Sequence, residues 1–176
     1  RYRTEHVAEV LRKQGWLVST TVQDNPFLSS YAAQFSVFIF HRVLYTPSVA
    51  TLIERVKKEG KEIIFETDDL VYDPTYLQHM DYFTQMNALE RKLYENGVGG
   101  EILADPYVAT CTTSTEYLAE KLREKNKQVF VVRNRLSTED VRNAEVIRET
   151  TKKDEGLVRI AYFSGTASHN KDFAVI

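Results

Sequence analysis

Asp68 and Asp69 stand side by side just past a short apolar run, Ile63-Ile64-Phe65, inside the stretch Lys61–Asp73. Paired carboxylates can act as a general base with an orienting partner, as metal ligands, or as caps of the following turn. Adjacent residues on an extended strand point to opposite faces, so only one of the two looks straight into a cleft unless the chain has already turned. Arg42 follows a second apolar run, Val37-Phe38-Ile39-Phe40, directly after His41. Its guanidinium could clamp an anion, or it could pair with Asp68 or Asp69 merely to hold that edge together. His41 reads more readily as a rim or core residue than as a base. Thr113-Ser114 and Arg133-Asn134 close two further runs. Near the end, Ser164-Gly165-Thr166 comes straight after the run Val158–Phe163. Small residues there would let backbone N–H groups approach a phosphate, with His169 near enough to join them. His6 and His79 fall on expected helices with no convincing partner.

The elements needed to position these groups can be read from spacing. Apolar residues at three- and four-residue intervals predict a helix over Arg1–Gln14, stopped by Gly15 and followed by Trp16 at a position where a C-terminal hydrophobic contact is usual. Leu17–Val22 reads as a strand, Asp24-Asn25-Pro26 as a turn and Leu28–Gln34 as a short helical turn. After the strand ending at His41, Thr46 caps a helix with Pro47 as its first residue, a stripe of Val49, Leu52, Ile53 and Val56, and a stop at Gly60. One long helix is expected over Thr75–Asn96. It would carry Leu77, Met80, Phe83, Met86, Leu89 and Leu93 along one side, and the glycines 97, 99 and 100 would end it. Tyr107–Thr112 reads as a strand. Thr113 then serves as helix cap, with Glu116 reaching back in a capping box. Gln128–Val132 is the next strand, and a helix over Thr138–Thr150 lies in a polar crossover. Val158–Phe163 is expected to be a strand and Asp172–Ile176 the start of a helix.

Strands alternating with helices at this spacing predict an α/β fold, a Rossmann-like parallel sheet with helices on both faces. In such a sheet the C-terminal strand ends share one rim, where ligands bind. Four polar or charged strand ends then argue for a cleft, without naming a reaction. The chain has 176 residues, 43 % of them apolar, which is enough for a sizeable core. A net charge of −2 gives no reason to expect nucleic acid as a partner. The ten Tyr and nine Phe are read as core, with a share available to line a pocket. The single Cys111 rules out an internal disulfide and reads as a small buried hydrophobe in a reducing compartment. No apolar stretch is long enough to span a membrane, and the opening residues do not read as a secretory leader. The expected location is therefore the cytoplasm.

The segments RYRTEHVAEVLRKQGW, FIFHR, KEIIFETDDLVYD, TCTTSTEYLAEKL, VFVVRNRL and VRIAYFSGTASHNKDF together resemble bacterial glycosyltransferases of the GT-B type, in the family-four-like retaining group. The resemblance covers nearly the whole chain, and DDL and FSGT-x-x-H are its most specific pieces. It implies two Rossmann-like domains facing across a cleft. Residues 1–136 would be the N-terminal, acceptor-side domain without its first strand, 137–157 the interdomain crossover, and 158–176 the truncated start of the nucleotide-sugar domain. Gly165, Thr166 and His169 would lie at the donor diphosphate. Asp68, Asp69 and Arg42 would border the cleft as its catalytic side, with His41, Ser114 and Asn134 on the rim. The implied reaction moves a sugar from a nucleotide sugar to a glycan or glycoconjugate acceptor in surface-polysaccharide or glycoprotein glycan synthesis. No obligatory cofactor or metal is implied, because such enzymes hold the leaving diphosphate with backbone amides and basic side chains. The remainder of the C-terminal domain would be a required partner, and a lipid-carried acceptor would place the enzyme at the inner face of the membrane. The competing expectation is a non-catalytic Rossmann-like module that binds carbohydrate or a protein partner. A receiver-type domain is disfavoured, since its phosphorylatable Asp and its Lys are not evident.

Overall fold

The structure is a computed structural model, and it describes residues 3–77, 86–151 and 156. The chain enters through helix α1 (Glu5–Lys13), which ends in a Schellman motif. Gly15 takes φ +88°, its N–H donates to Arg12 O (3.0 Å), and Trp16 N–H donates to Leu11 O (3.1 Å). Only His6 and Ala8 of this helix are buried, and Val10 is exposed. A 3₁₀ helix follows (Leu28–Ala33), then strand β1 (Val37–His41). Helix α2 (Pro47–Lys58) begins as expected, with Thr46 as N-cap accepting from Val49 N–H and Pro47 in its first turn. Its four apolar residues, Val49, Leu52, Ile53 and Val56, are all buried. Strand β2 (Glu62–Thr67) leads through a turn to α3 (Pro74–Leu77), α4 (Ala88–Leu93) and α5 (Gly100–Ala104). Strand β3 (Thr110–Thr113), helix α6 (Glu116–Arg123), strand β4 (Gln128–Val131) and helix α7 (Thr138–Thr150) complete the described elements.

The four strands form one sheet in the order β1-β2-β3-β4, and every neighbouring pair is parallel. The fold is therefore α/β and Rossmann-like, a parallel sheet flanked by helices. Side chains alternate across it. Phe38, Phe40, Ile63, Phe65 and Cys111 point into the core cluster with Val49, Leu52, Ile53 and Val56 of α2, Ile102 and Leu103 of α5, and Leu122 of α6. Burying each large side chain of this kind stabilises the fold by roughly 1.5–3 kcal/mol. The opposite face carries Ile39, Glu66, Thr112 and Phe130; it is covered at its C-terminal end by Arg3, the residue that leads into α1. Cys111 is fully buried, and desolvation pushes its thiol up to about 12. A thiol reagent such as DTNB should therefore leave the native protein unlabelled at pH 8 and titrate one thiol after unfolding in urea. Rapid labelling of the native state would contradict this burial.

Several expectations are corrected. Leu17–Val22 is not a strand; Leu17 and Val22 are exposed and pair with no strand among the described residues. The long helix over Thr75–Asn96 is not continuous, because Met86 and Asn87 are not helical. Its residues 78–85, including His79, Met80 and Phe83, lie outside the described residues. Of the glycines expected to end it, Gly97 closes the turn after α4, its N–H donating to Tyr94 O (2.9 Å), whereas Gly99, at φ +77°, is the N-cap of α5 and Gly100 its first residue. Strand β3 begins later than expected, because Tyr107 N–H donates to Asp105 Oδ1 (2.9 Å) and Val108 N–H to Asp105 O (3.1 Å), which turns the chain. It also runs one residue further, so Thr113 is a strand residue paired with Val131, and Thr115 is the cap that accepts from Leu118 N–H. Helix α7 has the expected limits, and its start is fixed by a capping box between Ser137 and Asp140. The expected elements Val158–Phe163 and Asp172–Ile176 lie outside the described residues.

Candidate functional site

Because all four strands run the same way, their C-terminal ends meet on one rim. His41, Thr67, Thr113 and Val131 mark it from β1 to β4. Arg42 turns out of β1 with φ +49°, a conformation few non-glycine residues adopt. It reaches both expected carboxylates: Nη2 lies 2.6 Å from Asp69 Oδ2, and Nε lies 3.2 Å from Asp68 Oδ1. Of the two readings of Arg42, the structure shows the ion pair, a guanidinium lying between two neighbouring carboxylates. The second oxygen of Asp69 is also engaged, since Leu70 N–H donates to Oδ1 (2.7 Å). Thr67 fixes the same turn, with its hydroxyl donating to Asp69 O (2.7 Å) and accepting from Asp69 N–H (3.3 Å). The chain has therefore turned by Asp69, and that carboxylate caps the turn it sits in. All three side chains are partly open to solvent, so their attraction is screened and contributes little to stability.

A second polar group lies beside the first, centred on a residue that was not among the expected site residues. Glu66, the last residue of β2 on the open face, is 3 % exposed. Arg3 Nε and Nη2 both lie 2.7 Å from its Oε1. The hydroxyl of Thr112, its neighbour in register on β3, donates to Oε2. Arg3 also donates through Nη1 to Val132 O and to Asn134 Oδ1 (3.1 Å). One buried guanidinium thus ties the entry to α1, the end of β2 and the exit of β4. Burial pushes the Glu66 carboxyl above its ordinary range, while Thr112 and Arg3 oppose that shift. His41 Nδ1 faces Glu66 Oε1 from 3.9 Å, beyond hydrogen-bond reach. Burial holds the His41 pKa below the usual histidine value, with the Asp68 charge pulling the other way. His6, expected to lack a partner, has Nδ1 3.0 Å from Arg135 O and Nε2 3.3 Å from Asp140 Oδ2.

The remaining residues divide. Asn134 is exposed at the exit of β4 and shares the rim with His41, Arg42, Asp68 and Asp69. Ser114 is on the rim but buried, so it presents little to a ligand. Thr113, beside it, is fully buried, and its hydroxyl has no hydrogen-bond partner among the described residues. Gly165, Thr166 and His169 lie outside the described residues. Among those described, no group of three or more His, Cys, Asp or Glu side chains could hold a metal ion. No described helix is long and apolar enough to cross a membrane. A shallow depression lined by Leu136, Val141, Ala144, Glu145 and Arg148 lies on α7 and includes none of the rim residues. Chemically, the rim offers a forked Arg–carboxylate pair open to solvent, a desolvated imidazole over a buried carboxylate, and an exposed amide.

No protein-family model, curated protein or solved structure matches the chain.

Proposed function

We propose that this chain is the acceptor-side part of a GT-B-type glycosyltransferase, which moves a sugar with retention from a nucleotide sugar to a glycan or glycoconjugate acceptor in surface-polysaccharide or glycoprotein glycan synthesis. The observation that supports this reading is the gathering of His41, Arg42, Asp68, Asp69 and Asn134 on the C-terminal rim of one parallel sheet. That rim is where open α/β sheets bind their ligands. In this reading Arg42, forked on the two Asp, sets the charge of the acceptor wall, and His41 and Asn134 offer hydrogen bonds to acceptor hydroxyls. Gly165, Thr166 and His169 are assigned to the donor diphosphate on sequence grounds alone. No metal is required of this wall, and the protein works on the cytoplasmic side, at the membrane face when the acceptor is lipid-carried.

The mutual engagement of Arg42, Asp68 and Asp69 favours a second reading, a non-catalytic Rossmann-like module that binds carbohydrate or a partner. Two measurements on the full-length gene product separate the readings. Calorimetry with UDP, GDP and dTDP should show saturable binding of one of them, and a folded protein that binds none would remove the donor-site assignment. Asp69→Asn should lower sugar transfer at least about tenfold while leaving the melting temperature nearly unchanged, because the amide oxygen still accepts from Leu70 N–H. Unchanged turnover would reduce Asp69 to a turn cap.

A further inference from the structure

The outer edge of β1 is the less protected of the two edges of the described sheet. Glu62 N–H donates to Ser36 O (3.0 Å), and the register pairs Val37 with Glu62. A strand in a parallel ladder turns alternate residues to its neighbour. Ser36, Phe38 and Phe40 therefore bond to β2, and the peptide groups of Val37, Ile39 and His41 point away from it. No backbone partner meets those three groups among the described residues. Their side chains lie on the open face of the sheet, where Val37 is 48 % and Ile39 49 % exposed. Native edges are usually blunted by charge, proline or a bulge. The β4 strand has Lys127 and Arg133 just beyond its ends. None of these devices guards β1: Ser36–Phe40 is uncharged, and its register with β2 runs without a bulge. Leu17–Val22, β-prone in composition, pairs with no strand among the described residues and leaves the edge uncovered. The outward set is also self-complementary. Antiparallel pairing centred on Ile39 sets it against the partner's Ile39, and Val37 against the partner's His41, so every outward N–H and C=O meets its complement. Opposed side chains share a face, and Val37 and Ile39 of both copies then leave water together. Arg42 falls opposite the partner's Ser36, and no like charges meet.

We propose that β1 is a self-association edge, on which two copies of the chain pair their β1 strands antiparallel about a two-fold axis at Ile39 and join two four-stranded sheets into one. The proposal rests on the edge and does not depend on the transferase reading. Sedimentation velocity on the 176-residue chain should show a monomer–dimer equilibrium, with dimer prominent at about 100 µM. Ile39→Lys sets two ammonium groups face to face and should weaken dimerisation at least about tenfold. The dilute variant should keep a melting temperature near that of the wild type, because Ile39 is half exposed. Ile39→Val should retain the dimer. Amide exchange supplies a second readout. Concentrating the protein should slow Val37, Ile39 and His41 at least about tenfold, while Phe38 and Phe40, bonded to β2, stay slow throughout. A monomer at every concentration up to about 1 mM, a very weak limit, would overturn the proposal. So would a dimer that Ile39→Lys leaves intact. Slow exchange of all three outward amides in a monomer would assign the edge to another strand of the same polypeptide, and it too would overturn the proposal.

Discussion

Glu66→Ala should destabilise the protein by about 3–5 kcal/mol, the cost of breaking a buried ion pair from one side. The loss is large because Arg3 would remain buried with its charge uncompensated, and its side chain is only 3 % exposed. Thr112 would lose its acceptor at the same time. Urea denaturation of the variant measures this directly, and a cost below about 1 kcal/mol would mean that Arg3 escapes to solvent. The double replacement Arg3→Met/Glu66→Leu should recover most of the loss, since apolar side chains of similar volume often replace a buried pair at little cost. The pH dependence has two opposing parts. Glu66 has a folded pKa raised by burial. Its contribution is therefore present below the unfolded value near 4.5 and is lost as pH rises through the folded one. His41 has a folded pKa lowered by burial. Its contribution is present above the unfolded value near 6.5 and is lost as pH falls through the folded one. Replacing His41 with Gln should accordingly reduce the loss of stability on mild acidification.

The buried pair also shows where sequence reading stops. Local chemistry was legible where a single segment carries it. Thr46-Pro47 announced the start of α2, Gly60 its end, and the polar run after β4 contained α7 with its observed limits. Strands β1 and β2 were legible as apolar runs, because their core face is apolar, whereas the Thr-rich β3 was expected too early in the chain. Leu17–Val22 has the same β-prone composition and is no strand, because pairing depends on a neighbour that composition does not supply. The helical spacing from Thr75 to Asn96 runs on through Met86-Asn87, although the helix does not. Periodicity records which residues could share a face and is blind to a break between them. Arg42 with Asp68 and Asp69 was open to inference, since all three flank strand ends that parallel pairing brings together. Arg3 and Glu66 were not, because their contact joins positions 63 residues apart. One available signal was overlooked. Glu66 alternates with Phe65 and Thr67 at the end of a buried strand, and a carboxylate there requires a cationic partner.

Gly97→Ala should be the most damaging of the single-methyl additions, at above about 3 kcal/mol, because two costs coincide. Gly97 has φ +82°, a left-handed conformation that costs a residue with a Cβ about 1–2 kcal/mol. An added Cβ would also drive into the backbone of Tyr72, meeting its carbonyl carbon and oxygen well inside contact distance and its Cα at 3.0 Å. Backbone cannot swing aside as a flexible side chain can. The segment is held besides by Val98 N–H donating to Val71 O (2.7 Å), and Tyr72 is buried edge-on against Phe65 with ring centres 5.9 Å apart. Any relief must therefore displace the chain that continues from the Asp68-Asp69 turn, or the core beneath it. Gly60→Ala supplies the control, since Gly60 has φ +66° and nothing within 4 Å of an added Cβ. That variant should show the conformational cost alone, about 1–2 kcal/mol. The difference between the two unfolding free energies isolates the steric part. Equal losses would mean that the Tyr72 segment yields freely, and the rim turn it supports could then not be a rigid wall for any ligand.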